Sequence, residues 1–127
     1  MSKKLIWTGR AISWLTGVFL LTSAINLLFV RSADLRESFA KFGYPESALS
    51  PIGAAALVSA LLYLIPRTSV LGAILLTGYL GGAVATHVRA NDSMFPVPIV
   101  FGVLAWLGLF LRDQHLRALL PWRRFHA

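Results

Sequence analysis

The chain has 127 residues, 57% of them hydrophobic and 13% charged, with a formal net charge of +7 and no cysteine. A globular chain carries roughly 25% charged residues, so this one has too little charge to cover a water-facing surface, and lipid is the natural solvent for the excess. The missing cysteine excludes disulfides, thiolate metal sites and thiol–disulfide chemistry.

Lys3, Lys4 and Arg10 open the chain, and an apolar run without charge follows over 11–30. A signal peptide begins in the same way, but its apolar core is about 7–15 residues. A bilayer span takes about 20 residues, so the run reads as an uncleaved first helix. The outer loop that follows holds Leu35, Phe39 and Phe42 at helical spacing between Asp34, Arg36, Glu37 and Lys41. That pattern predicts a short amphipathic helix lying on the membrane, with Gly43 at its C-terminal cap. Further apolar segments cover 51–65, 68–88 and 95–111. The first and last of these three are short for a span and need snorkelling flanks or local thinning of the bilayer. In lipid each backbone must satisfy its own hydrogen bonds, so each segment is predicted to be helical. Ser50-Pro51 reads as an N-cap followed by proline in the first turn. Pro66-Arg67 makes so short a link that the second and third spans must be neighbours, and Asn91-Asp92 mark the turn before the fourth. In the tail, Leu116, Leu119, Leu120, Trp122 and Phe125 mix with arginines, as in a second surface-lying stretch.

The expected fold is therefore all-α: one domain over 1–127, an antiparallel four-helix membrane bundle. With four spans, Lys3, Lys4, Arg10, Arg67, Arg112, Arg117, Arg123 and Arg124 share one side, against Arg31, Arg36, Lys41 and Arg89 on the other. The basic residues thus divide eight to four, which by the positive-inside rule puts both termini in the cytoplasm. Because Lys and Arg lie between apolar runs and not on one polar face, they read as topology signals. Nucleic acid is not expected as a partner.

Lipid gives helices no hydrophobic drive to associate, so small residues mark the packing faces. Gly78 and Gly82 form a GxxxG step in the third span. Gly9, Ser13, Thr16, Ser23 and Asn26 form a stripe on the first, and Ala55, Ser59 and Tyr63 one on the second. All three stripes are expected to turn inward, and Tyr79 to bond a neighbouring helix.

Polar groups at membrane depth are costly and mark candidate sites. Asn26, Tyr44, His87 and Arg89 all fall near the outer end, where an amide, a phenol, an imidazole and a guanidinium suit the polar head of a hydrophobic molecule such as a quinone or a lipid. The plain alternative for each is structural: interhelical bonding for Asn26, polar capping for His87, an ion pair with Asp34, Glu37 or Asp92 for Arg89. His87 and Arg89 lie about 200° apart on an ideal helix. No spacing suits a metal, and with one histidine near the membrane no bis-histidine haem is expected. No nucleophile has a base beside it.

Gly43-Tyr44-Pro45, Ile65-Pro66-Arg67-Thr68, the run Thr77-Gly78-Tyr79-Leu80-Gly81-Gly82-Ala83 with Thr86-His87-x-Arg89, and Trp106-Leu107-Gly108-Leu109 together resemble the DoxX-like family. The resemblance covers about residues 10 to 120. It implies a small four-helix bacterial membrane protein, placed in the inner membrane, and a link to quinone redox chemistry, since the family's name comes from a subunit of a thiosulfate:quinone oxidoreductase. The resulting expectation is a non-catalytic accessory subunit that binds a quinone or lipid headgroup at the outer end. Its partners would be the bilayer and a membrane redox protein or a second copy of itself. The alternatives are a structural scaffold for another membrane protein and, less favoured for lack of a buried acid, a small transporter.

Overall fold

A computed structural model describes residues 2–120; Trp122, Phe125 and the last arginines of the expected tail lie outside them. The described chain contains α1 (Lys3–Ile25), α2 (Ala33–Lys41), α3 (Leu49–Leu64), α4 (Ser69–Arg89), α5 (Pro96–Arg112) and α6 (Gln114–Leu119). Helix α1 runs on through a wider π turn, Asn26–Val30, and short 3₁₀ turns precede α3 and α4. Helices α1, α3, α4 and α5 form an antiparallel ring in which each packs against two others: α1 on α3 and α5, α4 on α3 and α5. This is an all-α membrane helix bundle.

Three of its helical stretches, Lys3–Val30, Glu46–Leu64 and Pro66–Arg89, are long and apolar enough to cross a membrane. Helix α5, with 17 residues, is shorter; at 1.5 Å per residue it reaches roughly 25 Å. Leu15 and Phe29, each 75% exposed, and Val103, 60% exposed, point away from the bundle. Apolar residues so placed along whole helices are what a bilayer covers.

Local chemistry accounts for the element ends. Helix α1 begins eight residues before the expected start at 11, because the Ser2 hydroxyl accepts from the Leu5 amide (3.3 Å) and caps it. Helix α2 lies where the apolar spacing predicts. It ends with Gly43 at φ 85°, where the Gly43 amide bonds Ala40 O and the Tyr44 amide bonds Phe39 O, both at 3.0 Å, a Schellman closure. Asn91, at φ 55°, closes α4 in the same way, with the Asp92 amide on His87 O at 2.8 Å. Ser50 is not the N-cap that its place before Pro51 suggests. Helix α3 starts at Leu49 after a 3₁₀ turn, and the Ser50 hydroxyl instead accepts from the Arg31 guanidinium at 2.7 Å.

The bundle has two unlike ends. At the amino-terminal end, where α1 starts and α5 finishes, the packing is tight. Gly72 stands so close to the Tyr63 backbone that a Cβ there has no room, and a Cβ on Gly9 would meet Gly108 O at 2.7 Å. The Tyr63 hydroxyl, fully buried, donates to Ala105 O at 2.7 Å and lies 2.9 Å from Ser13 Oγ, which supplies the second hydrogen. The Ser69 hydroxyl sits 2.8 Å from Tyr63 O and 2.9 Å from Ile65 O, and accepts from Arg112 Nη2 at 3.1 Å. One buried polar network thus ties all four spanning helices. Of the expected stripes, Gly9, Ser13, Thr16, Ser59 and Tyr63 do turn inward, whereas Ser23 and Ala55 are exposed.

Candidate functional site

At the other end, where α2 and the Asn91 turn lie, the packing of α4 opens, while α1 and α3 stay in close contact there through Leu27, Leu49 and Gly53. The inward residues of α4 are Ser69, Gly72, Ala73, Leu76 and Leu80; beyond Leu80 none of its residues is buried. Gly78 and Gly82 lie on the opposite side from that inward face. A Cβ on either meets open space. Their GxxxG step therefore does not pack on another helix among the described residues, because the step closest to α3 uses Gly72 instead.

What the two glycines do line is a groove of about 460 Å³. Its walls are α3 (Pro51, Ile52, Ala55) and α4 (Gly78, Tyr79, Gly82, Ala83, Thr86, His87), and α2 with its following turn roofs it through Phe39, Phe42 and Tyr44. The glycines make the floor flat, and Phe39, Phe42, Tyr44 and Tyr79 bring aromatic rings to it. The lining holds three hydroxyls and one imidazole and no carboxylate.

The roof is fastened by polar contacts. The hydroxyls of Tyr44 and Thr86 are hydrogen-bonded at 2.8 Å, and Arg89 Nη2 donates to Phe42 O at 2.7 Å. The Arg89 guanidinium also stands 5.8 Å from the Tyr44 ring centroid, within cation–π range. The ring of His87 packs on that of Phe42 with centroids 4.8 Å apart. Although His87 and Arg89 leave α4 in different directions, both reach Phe42, because the end of α2 lies across the end of α4.

The tautomer of His87 follows from its partner. Nδ1 is 2.7 Å from Ala83 O, and a carbonyl only accepts, so Nδ1 carries the hydrogen. In the neutral ring Nε2 is then an acceptor. Tyr79 lines the groove, and among the described residues its hydroxyl has no hydrogen-bond partner. The interhelical bond expected of it is not formed, since the helix wall opposite contributes Pro51, Ile52 and Ala55, which offer no side-chain acceptor. Phe42, Tyr79 and His87 also line a second hollow of about 410 Å³ between α1, α2 and α5, so these three side chains separate the two spaces.

Of the four expected site residues, the structure brings Tyr44, His87 and Arg89 together and leaves Asn26 apart. Asn26 Oδ1 accepts from the Ser32 amide at 3.3 Å and its carbonyl from the Arg31 amide at 2.6 Å, which closes the chain into α2. It borders a separate furrow with Trp14, Phe19 and Thr22. Arg89 belongs to the roof and not to the lining, and it pairs with none of Asp34, Glu37 and Asp92; the one ion pair among the described residues is Arg36–Glu46 at 3.5 Å. Sequence reasoning missed Phe39, Phe42, Thr86 and Tyr79 as lining residues. The signal available for the first two was the apolar face of α2, which needs something to cover.

No curated protein and no solved structure matches the chain. Residues 11–108 match the DoxX-like family, a span that takes in α3, α4, most of α1 and α5, and the roofed groove; the chain belongs to the DoxX-like family and is a small multi-pass membrane protein.

Proposed function

We propose that this protein is a non-catalytic accessory subunit of a bacterial inner membrane, with both termini cytoplasmic, and that its groove between α2, α3 and α4 receives the head of a quinone. The observation that carries this reading is the chemistry of the lining: flat, aromatic and uncharged, with a phenol lacking a partner at membrane depth. An unpaired hydroxyl in an apolar setting is costly, and a ligand carbonyl relieves it. The quinone ring matches the glycine floor and the Phe39, Phe42 and Tyr44 rings. Tyr79 donates to the oxidised head, and His87 Nε2 accepts from the reduced one, so one groove serves both redox states. An anionic headgroup is the poorer fit, because the one guanidinium nearby, Arg89, stands outside the lining, in the roof. The exposed faces of Ala55, Gly78 and Gly82 leave the groove open sideways, the direction from which a lipid-soluble molecule comes. The cytoplasmic placement rests on the eight-to-four division of Lys and Arg.

The test is native mass spectrometry of the full chain extracted from its own membrane in mild detergent, with a parallel solvent extract. One quinone per chain is expected, lost in Tyr79→Phe and Gly82→Leu while both variants keep wild-type helicity. A chain that carries only another protein, with no quinone in the extract, replaces this reading by the scaffold.

A further inference from the structure

The amino-terminal end holds a second cavity, of about 390 Å³, whose character is opposite to that of the groove: Arg10, Arg112 and His115 line it, together with Ser69, Val70 and Asp113. Two guanidiniums converge there with no ion pair to either among the described residues. Arg112 is held by Ser69 Oγ through Nη2, but its Nε–H is buried and has no acceptor. A buried donor on a cation without a partner is costly, so the Arg112 charge is left poorly compensated by the protein itself. Asp113 is the one carboxylate in the lining. Its Oδ1 already accepts from the His115 and Leu116 amides, at 2.9 and 3.3 Å, as the N-cap of α6. Among the arginines and carboxylates of the lining, two arginines against one aspartate leave one positive charge in excess.

We infer that this cavity binds the phosphate of an anionic phospholipid, which bridges Arg10 and Arg112. A phosphodiester headgroup carries one negative charge, which matches the excess. Depth favours a lipid over free phosphate. Trp7, 64% exposed, lies one turn before Arg10 and stacks beneath its guanidinium at 5.1 Å, and exposed indoles settle at the headgroup level. Below the cavity Val70 and Ile74, 38% and 54% exposed, continue one helical face on which acyl chains can lie. This site is separate from the quinone groove and does not depend on it.

The test uses the full chain, delipidated in neutral detergent, offered phosphatidylglycerol and phosphatidylcholine in equal amounts and read by native mass spectrometry. One phosphatidylglycerol is expected to be retained in preference to phosphatidylcholine. Arg10→Gln and Arg112→Gln should each lower that retention about fivefold, the usual effect of one basic residue at a lipid surface. Arg67→Gln, exposed at the same end and outside the cavity, should leave it unchanged. Arg112 also holds Ser69, so if its variant fails to fold, the exposed Arg10 variant decides alone. Displacement of the lipid by millimolar inorganic phosphate would keep the phosphate site and make a soluble phosphate its ligand. Equal retention of the two lipids, or an Arg67→Gln loss as large as that of Arg10→Gln, overturns the proposal, since either reduces it to diffuse surface charge.

Discussion

The two ends of the bundle are built from the same few residue types and use them in opposite ways. At the amino-terminal end glycine brings backbones together: Gly72 lies against Tyr63, and Gly9 against Gly108. At the loop end Gly78 and Gly82 face open space and clear a floor. Tyrosine divides likewise. Tyr63 is fully buried, with its hydroxyl bonded to two helices, whereas Tyr79 has no partner for its own among the described residues. In lipid, helix association rests on close packing and interhelical hydrogen bonds. Where α3 meets α4 at the amino-terminal end, both are present and hold the fold. At the loop end the bonds of α4 go to the roof and its glycines there touch no helix among the described residues, which leaves room to hold something else.

The sharpest way to break this comparison is to add one carbon at each end. Gly72→Ala forces α3 and α4 apart and should destabilise the bundle by about 1–3 kcal/mol. Gly82→Ala meets open space and adds a better helix former, so its effect should stay within about 1 kcal/mol and lean towards stability. Unfolding in mixed micelles followed by circular dichroism measures both. If the two substitutions shift the transition equally, the ends do not differ as described. Gly82→Leu extends the same test to function: the fold should persist while the floor is filled, and binding of decylubiquinone should fall by about tenfold or more.

The tyrosines give a smaller and cleaner contrast. Tyr63→Phe removes a buried bond to Ala105 O and strands Ser13 Oγ, at a cost of about 0.6–1.5 kcal/mol. Tyr79→Phe has no bond to lose among the described residues, so the unfolding transition should not move, yet quinone retention should drop. A matching destabilisation of both variants would mean that Tyr79 also serves the fold.

Much of the fold was legible because it depends on local chemistry. Apolar run lengths located the spans, the spacing of Leu35, Phe39 and Phe42 located α2, and Gly43 was readable as a cap because its left-handed conformation favours glycine. The packing faces were less legible. A GxxxG step records that two small residues share a helix face, and it cannot record whether a neighbour arrives there. Gly72, which carries the α3–α4 contact, has no such spacing to announce it. The site was half legible for the same reason. Tyr44, His87 and Arg89 stand out as polar residues near one end, but that Asn26 closes a turn while Tyr79 lacks a partner depends on which helices become neighbours. Arg112 read as a topology signal, and its buried Nε–H is visible only once α4 and α5 are packed.

The smallest effect concerns how the roof of the groove is held. Two kinds of contact fix α2 and its flanking turn: the Arg36–Glu46 ion pair at 3.5 Å, and the Arg89 bond to Phe42 O with the Tyr44–Thr86 bond beneath it. Both members of the ion pair are more than half exposed, at 55% and 62%. Such pairs contribute about 0–1 kcal/mol and are screened by salt. Arg36→Ala should therefore leave amide exchange in α2 unchanged within a few fold, and less changed still in high salt. Arg89→Ala should speed exchange at the end of α2 by more than this and leave the rest of the bundle protected, because it frees Phe42 O and the Tyr44 ring together. If the order is reversed, with Arg36→Ala loosening α2 more than Arg89→Ala, the roof is held from the water side. The loop-end groove would then owe its shape to the surface ion pair and not to α4.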